Sequence, residues 1–184
     1  MTALDEARAV LGAGLTEDAG PNTDHAGVIT EMLREVGAGP GEPWCAAFAT
    51  RCFRVAGGAA PAFASASSQG IRRWFEDHGL LNHDAQALLK WRGALFGWTD
   101  ADGAHGHIGL VSGRLTAADP NESAFAGSRV IGIETIEGNA SSGGGERPIE
   151  GVFSHRRTVP ESCGHALWFC NTSDLPGGAW WAAN

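Results

Sequence analysis

The sequence predicts an α+β fold, N-terminal helices packed on a mainly antiparallel β-sheet, and three features lead there. Apolar residues recur at helical spacing through the first part of the chain. From about Ala94 onward the pattern changes to short strand-like runs, and 27 glycines punctuate both parts. Helices followed by strands, rather than helices alternating with strands, is the order expected when helices cover one side of an antiparallel sheet. With 184 residues, 43% of them hydrophobic, the chain suits one domain, residues 1–184, with a sizeable core.

In chain order, Asp5 to Leu11 reads as a short helix ending at Gly12, followed by the polar turn Glu17 to Asn22. Thr23 or Asp24 caps a second helix, on which Val28, Ile29, Met32, Leu33 and Val36 make one apolar face. The Gly37-Ala38-Gly39-Pro40-Gly41 segment stops it and leads into a third helix. Pro43 suits the first turn of that helix, Ala46, Ala47 and Ala49 propagate it, and Gly57-Gly58 ends it. Ser65 to Ser68 leads into a helix from Gln69 to His78, with Ile71, Trp74 and Phe75 inward, and Asn82 to Lys90 holds a further short helical turn. Strands are expected at Ala94–Trp98 and His107–Val111, joined by the turn Thr99 to Gly103, and at 129–137, 151–158 and 166–170.

The formal charge of -8 argues against general affinity for nucleic acid or anionic membrane. No run approaches the ~20 apolar residues of a membrane span. The start carries Asp5 and Glu6 where a secretory signal would carry lysine or arginine, so synthesis in the cytoplasm without a signal peptide is expected, with release by another system if the protein acts outside. Four cysteines do not make a disulfide scaffold in a chain of this size.

Chemistry concentrates on a few positions. Cys45 falls at a helix start, where free N–H groups and the positive end of the dipole favour thiolate over thiol. Cys52, two turns inside, reads as core, and about 10 Å of helix separates it from Cys45, beyond bridging distance. His107 begins a strand, flanked by Gly106 and Gly109, which leave room for another group to approach its ring. Period two puts Glu137 and Asn139 on one side of their strand. A cysteine nucleophile needs an imidazole to take its proton, and the imidazole needs an acceptor to orient it; Cys45, His107 and Glu137 or Asn139 supply those parts.

Three stretches, Pro43-Trp44-Cys45-Ala46-Ala47-Phe48, Gly106-His107-Ile108-Gly109-Leu110-Val111 and Thr135-Ile136-Glu137-Gly138-Asn139, resemble in order and separation the CHAP domain. This is the cysteine, histidine-dependent amidohydrolase/peptidase module of bacterial and phage cell-wall hydrolases. The resemblance runs from about Gly41 to Phe153, with residues 1–40 as a helical preface to a catalytic core at 41–184. It implies a papain-like fold, Cys45 as nucleophile, His107 as general base and then acid, and Glu137 as the group orienting His107. Asn139 would add a polar contact or the orienting bond itself, and the Cys45 amide part of an oxyanion hole. It further implies peptidoglycan or a muropeptide as substrate, no metal or other cofactor, and room for an immunity or inhibitor protein. One departure is local: many relatives have Gly-Asp-Leu before the histidine strand, where this chain has Gly93-Ala94-Leu95-Phe96.

Other residues compete for roles. His105 shares a side with His107 and is a candidate to line the cleft, but it lacks the Ile-Gly-Leu-Val run that follows His107. Cys163, His165 and Cys170, with His155, have zinc-binding residue types but not the paired spacing of a structural site. Trp44, Arg72, Arg73, Trp74 and the loop from Ser141 to Arg147 are candidates for substrate contact, as is the pair Trp180-Trp181. The Ser141 to Gly145 loop lacks a P-loop lysine and is no phosphate cradle. Two alternatives remain beside the hydrolase: a catalytically silent domain that binds wall fragments or protein, and a thiol peptidase or deamidase acting on proteins.

Overall fold

A computed structural model describes residues 1–118, 128–142, 149–159 and 166–175. It has four helices, α1 (Ala3–Ala13), α2 (Val28–Glu35), α3 (Cys45–Gly57) and α4 (Ser68–Asp77), and a 3-10 turn at Ala85–Leu89. Six strands follow: β1 (Leu81–Asn82), β2 (Ala94–Thr99), β3 (Gly106–Ala118), β4 (Ser128–Ser141), β5 (Glu150–Thr158) and β6 (Ala166–Asn171). They form one sheet in the order β1-β6-β2-β3-β4-β5, every pair antiparallel. The α+β class and the placement of helices before strands agree with the sequence pattern.

Helix boundaries differ where a cap sits outside the periodic stretch. α1 begins at Ala3 because Thr2 and Asp5 form a reciprocal capping box. Asp24 serves α2 from a distance: its carboxylate accepts from the Val28 and Ile29 amides at 2.9 and 2.8 Å, while left-handed Gly27 is the formal cap. α3 starts at Cys45, so Pro43 lies just outside it rather than in its first turn, and Trp44 is the cap residue. That cap has no side-chain hydrogen bond to the helix.

The sheet separates two apolar layers. On one side Leu95, Ile108, Leu110, Ile136 and Trp168 pack with Phe48, Cys52 and Phe53 of α3, Ile71 and Phe75 of α4, and Ala3, Ala7, Ile29, Met32 and Leu33 of α1 and α2. On the other, Phe96, Val130, Ile133 and Phe169 pack with Ala85 and Leu88 of the 3-10 turn. Residues of α1 and α2 therefore share a core with α3. The segment after α1 also adds to the sheet edge, with Val152 N–H donating to Leu15 O at 2.9 Å and Glu17 N–H to Glu150 O at 2.8 Å.

α3 crosses β4 at Gly138. A Cβ there would lie 2.6 Å from Phe48 Cβ and 2.8 Å from a Trp44 ring carbon. Only glycine lets strand and helix approach this closely, and that approach places the first turn of α3 beside the strand carrying Glu137. Gly138→Ala is expected to lower unfolding free energy by about 1–3 kcal/mol through overpacking, read from urea denaturation; an unchanged midpoint would contradict this packing.

Candidate active site

The sheet's period of two separates structural from chemical residues. Ile108, Leu110 and Ile136 face the helical layer, whereas His107 and Glu137 alternate to the side of Phe96 and Trp98. Gly109 makes their meeting possible, since a Cβ there would sit 2.7 Å from Glu137 Cγ and 2.8 Å from a Phe96 ring carbon. His107 is the Cα partner of Trp98 across the β2–β3 ladder, and its ring stacks on that indole at 4.6 Å between centroids.

Glu137 is fully buried, and both its oxygens are occupied. Oε1 accepts from Thr135 Oγ1 at 2.5 Å and from Arg157 Nε at 2.7 Å. Oε2 accepts from Arg157 Nη2 at 2.5 Å and faces His107 Nε2 at 2.9 Å. The imidazole contact is at ion-pair distance, but its angle falls short of a straight N–H···O bond. The same ring, when protonated, donates toward the Cys45 sulfur. Cys45 is 7% exposed at the first position of α3, so thiol, imidazole and carboxylate form one connected group.

The electrostatics follow from these contacts. Burial alone would push His107 toward its neutral form, but hydrogen bonds and charge from Cys45 and Glu137 outweigh it and raise the pKa from 6.5 to about 9. Burial likewise opposes ionisation of Glu137, yet hydrogen bonds and charge from His107 and Arg157 lower its pKa from 4.5 to about 2. The carboxylate thus stays charged and the imidazole holds its proton at neutral pH. Burial raises the thiols of Cys52 and Cys170 well above their ordinary value and keeps both protonated.

Arg157 is the functional residue that the sequence pattern does not mark. It forks onto Glu137, and its guanidinium carbon lies 4.8 Å from the Trp98 ring centroid and 5.5 Å from that of Phe96. In the ladder its Cα partner is Ile133 rather than Glu137, so the contact is a diagonal reach along the sheet. An arginine on the strand neighbouring Glu137 was the available signal, but only the register connects them.

Asn139 does not join this group. A register shift between Glu137 and Ala140, with Asn139 in the left-handed region at φ 55°, breaks the period of two and turns the side chain away from His107. Its Oδ1 accepts from the Trp44 amide at 3.0 Å, and its Nδ2 donates to Glu17 Oε1 and Asn22 Oδ1 at 3.2 and 3.1 Å. Asn139 thereby ties the residue before Cys45 to β4. It positions the backbone before Cys45 and does not contact the imidazole.

A cleft of about 410 Å³ opens beside Cys45, with Gly37 to Gly39, Glu42 and Pro43 on one wall, 66–68 on another and 104–106 on a third. His105 is among the lining residues, exposed and hydrogen-bonded to Asp102, whose carboxylate raises the His105 pKa. Trp44 is not: its ring is buried and its indole N–H donates to Glu17 at 2.8 Å, so it is core rather than a substrate platform. Arg72 is engaged with Gln69 and Glu76, and Trp74 packs against Phe63, Phe75 and His78. Neither of these, nor Arg73 or Ser141, lines the Cys45 cleft.

Among the described residues no group of three or more His, Cys, Asp or Glu is arranged to hold a metal. Cys170 and His155 stand on β6 and β5, four strand positions apart, or about 19 Å along the sheet, too far to share an ion. Cys163, His165, Trp180, Trp181 and 143–147 lie outside the described residues. No described helix is long and apolar enough to cross a membrane. Compared with family models, characterised proteins and solved structures, the chain finds no match in any of the three.

Two outcomes are expected from the charge arrangement. His107 binds its proton more tightly when folded, so its stabilising contribution is complete below pH 6.5 and lost as pH rises through about 9. Glu137 contributes above pH 4.5, and its contribution is lost as pH falls through about 2. Urea midpoints should therefore fall between pH 6.5 and 9 in the wild type and fall less in Glu137→Gln; parallel profiles would contradict the coupling. Arg157→Met leaves a buried carboxylate short of a partner and is expected to cost roughly 3–5 kcal/mol of stability, less whatever solvent recovers at the partly exposed guanidinium. Calorimetry showing no loss would mean that Glu137 does not depend on Arg157.

Proposed function

We propose that the chain is a papain-like cysteine hydrolase of the CHAP type, cleaving an amide bond of peptidoglycan as an amidase or endopeptidase. The observation that carries this reading is the connected group in which the Cys45 thiol at a helix start meets His107, whose Nε2 faces buried Glu137. His107, its ring protonated at neutral pH, holds the proton that the thiol gives up before sulfur attacks the carbonyl carbon. It returns that proton to the departing amine, leaving an acyl-thioester that water then hydrolyses. Glu137 holds the imidazolium in place without accepting its proton, because Arg157 keeps the carboxylate ionised.

The cleft supports an amide substrate with a slender chain. Its walls are dominated by Gly, Ala and Ser, which leave room for a peptide backbone to approach the thiol. With a net charge of -8 the protein has no general attraction to an acidic polymer, so recognition rests on the shape of the cleft and its few polar groups. A silent binding domain accounts less well for the site: burying Glu137 between two cations beside a thiol has a desolvation cost that binding alone does not require. The wall is the site of action after release or delivery by another system, and an immunity or inhibitor protein would act by covering the cleft.

The test is mass spectrometry of muropeptides after incubation with the purified protein. Wild type is expected to release fragments cut at an amide bond, with EDTA without effect and thiol alkylation abolishing release. Cys45→Ala should be inactive and folded. Cleavage retained by Cys45→Ala would exclude the nucleophile, and cleavage confined to protein substrates would move the assignment to a thiol peptidase or deamidase.

A further inference from the structure

Two helix starts open onto the cleft that holds the Cys45 thiol. Cys45 is the first residue of α3, Ser67 is the cap of α4 and Ser68 its first residue, and all three line that cleft. α3 has no side-chain cap, so its first-turn amides retain donor capacity. Ser67 uses its hydroxyl within α4, accepting from the Gly70 amide at 3.3 Å. Ser68 differs: it is 7% exposed, and among the described residues its hydroxyl has no partner. This hydroxyl still meets the solvent of the cleft, so it is open to a ligand atom without giving up a protein partner.

The local structure fixes the start of α4 relative to the strand that carries His107. Ser67 N–H donates to Ser65 Oγ at 3.1 Å, tightening the entry to α4. Gln69, the next residue, is buried, and its Nε2 donates to Trp98 O and His105 O at 3.2 and 3.3 Å while its Oε1 accepts from Thr99 Oγ1 at 2.9 Å. The start of α4 is thus fastened to the ends of the two strands that carry Trp98 and His107.

We propose that Ser68 donates a hydrogen bond to the oxyanion formed when Cys45 adds to the substrate carbonyl, with the first amides of α3 as the companion donors. The inference rests on the acyl-transfer reading above. As the S–C bond forms, the carbonyl π pair moves onto oxygen while the thiol proton resides on His107. When the pair returns, the C–N bond breaks and that proton leaves with the amine. The negative oxygen appears between two positive helix ends and a hydroxyl already in position, so little reorganisation accompanies the charge.

A dipeptide aldehyde, acetyl-alanyl-glycinal, isolates this step, because the thiol adds to it reversibly and the hemithioacetal oxygen occupies the oxyanion position. The readout is protection of Cys45 from iodoacetamide, whose own reaction forms no oxyanion. Ser68→Ala is expected to weaken aldehyde protection about tenfold or more, a conservative share of the loss typical for an oxyanion donor. Its alkylation rate without aldehyde should stay near wild type, and Ser68→Thr, which keeps the hydroxyl, should retain most of the protection. Equal protection in wild type and Ser68→Ala overturns the role of Ser68 while the nucleophile assignment stands. Ser68→Thr failing as badly as Ser68→Ala also overturns it, pointing to packing rather than the hydroxyl. No protection of the wild type by aldehyde would overturn the acyl-transfer reading and this inference together.

Discussion

A carboxylate with no solvent exposure, shared between two cations, is the constraint on which the site depends. Glu137 is tolerable inside the sheet only because Arg157 forks onto it, Thr135 donates to it and His107 faces it. Each partner in turn dictates a neighbour. Gly109 must lack a side chain so that Glu137 can lie against Phe96, and Trp98 stacks on the imidazole and also lies under the guanidinium. Arg157 therefore does two things: it keeps Glu137 ionised, and it competes with His107 for that charge. The imidazolium is held firmly without losing its proton to the carboxylate, as the proposed acid–base role of His107 requires.

The Cys45 thiol is positioned by a separate set of contacts from the other side of the sheet. Asn139 grips the Trp44 amide, Glu17 holds the Trp44 indole, and Gly138 lets α3 approach β4. Glu17 and Asn22 come from the segment between α1 and α2, so the N-terminal part of the chain supports the placement of Cys45 although it contributes nothing to the group around His107. Three neighbouring residues of β4 divide the work. Glu137 serves the imidazole, Gly138 the helix approach and Asn139 the backbone before the thiol.

How much of this the sequence revealed depended on how local each signal was. The helices and the switch to strands were readable because amphipathic spacing and glycine stops act within one element. Cys45, His107 and Glu137 stood out because a thiol at a helix start and an imidazole between glycines are local patterns. Asn139 offered a polar contact near the site, which it makes at the Trp44 amide, but not on the side of Glu137, because the alternation assumed for Glu-Gly-Asn fails at a bulge that only the pairing of β4 with β5 exposes. Trp44 beside a cysteine suggested a platform, but its buried partner Glu17 lies far away in the chain. Arg157 reaches Glu137 diagonally, and Ser68 matters only because α4 docks on the ends of β2 and β3; tertiary arrangement alone supplies both facts.

The most direct test of the central claim is to trap the covalent intermediate. Protein mixed with muropeptide is quenched in acid within the first turnover, digested with trypsin and mapped by mass spectrometry. Cleavage at Arg34 and Arg51 places Cys45 alone on the peptide 35–51, apart from Cys52. An acyl fragment of the substrate is expected on that peptide, released by hydroxylamine as a thioester is. Product formation accompanied by an acyl group mapping to Cys52, to Cys170 or to a residue other than cysteine would contradict it.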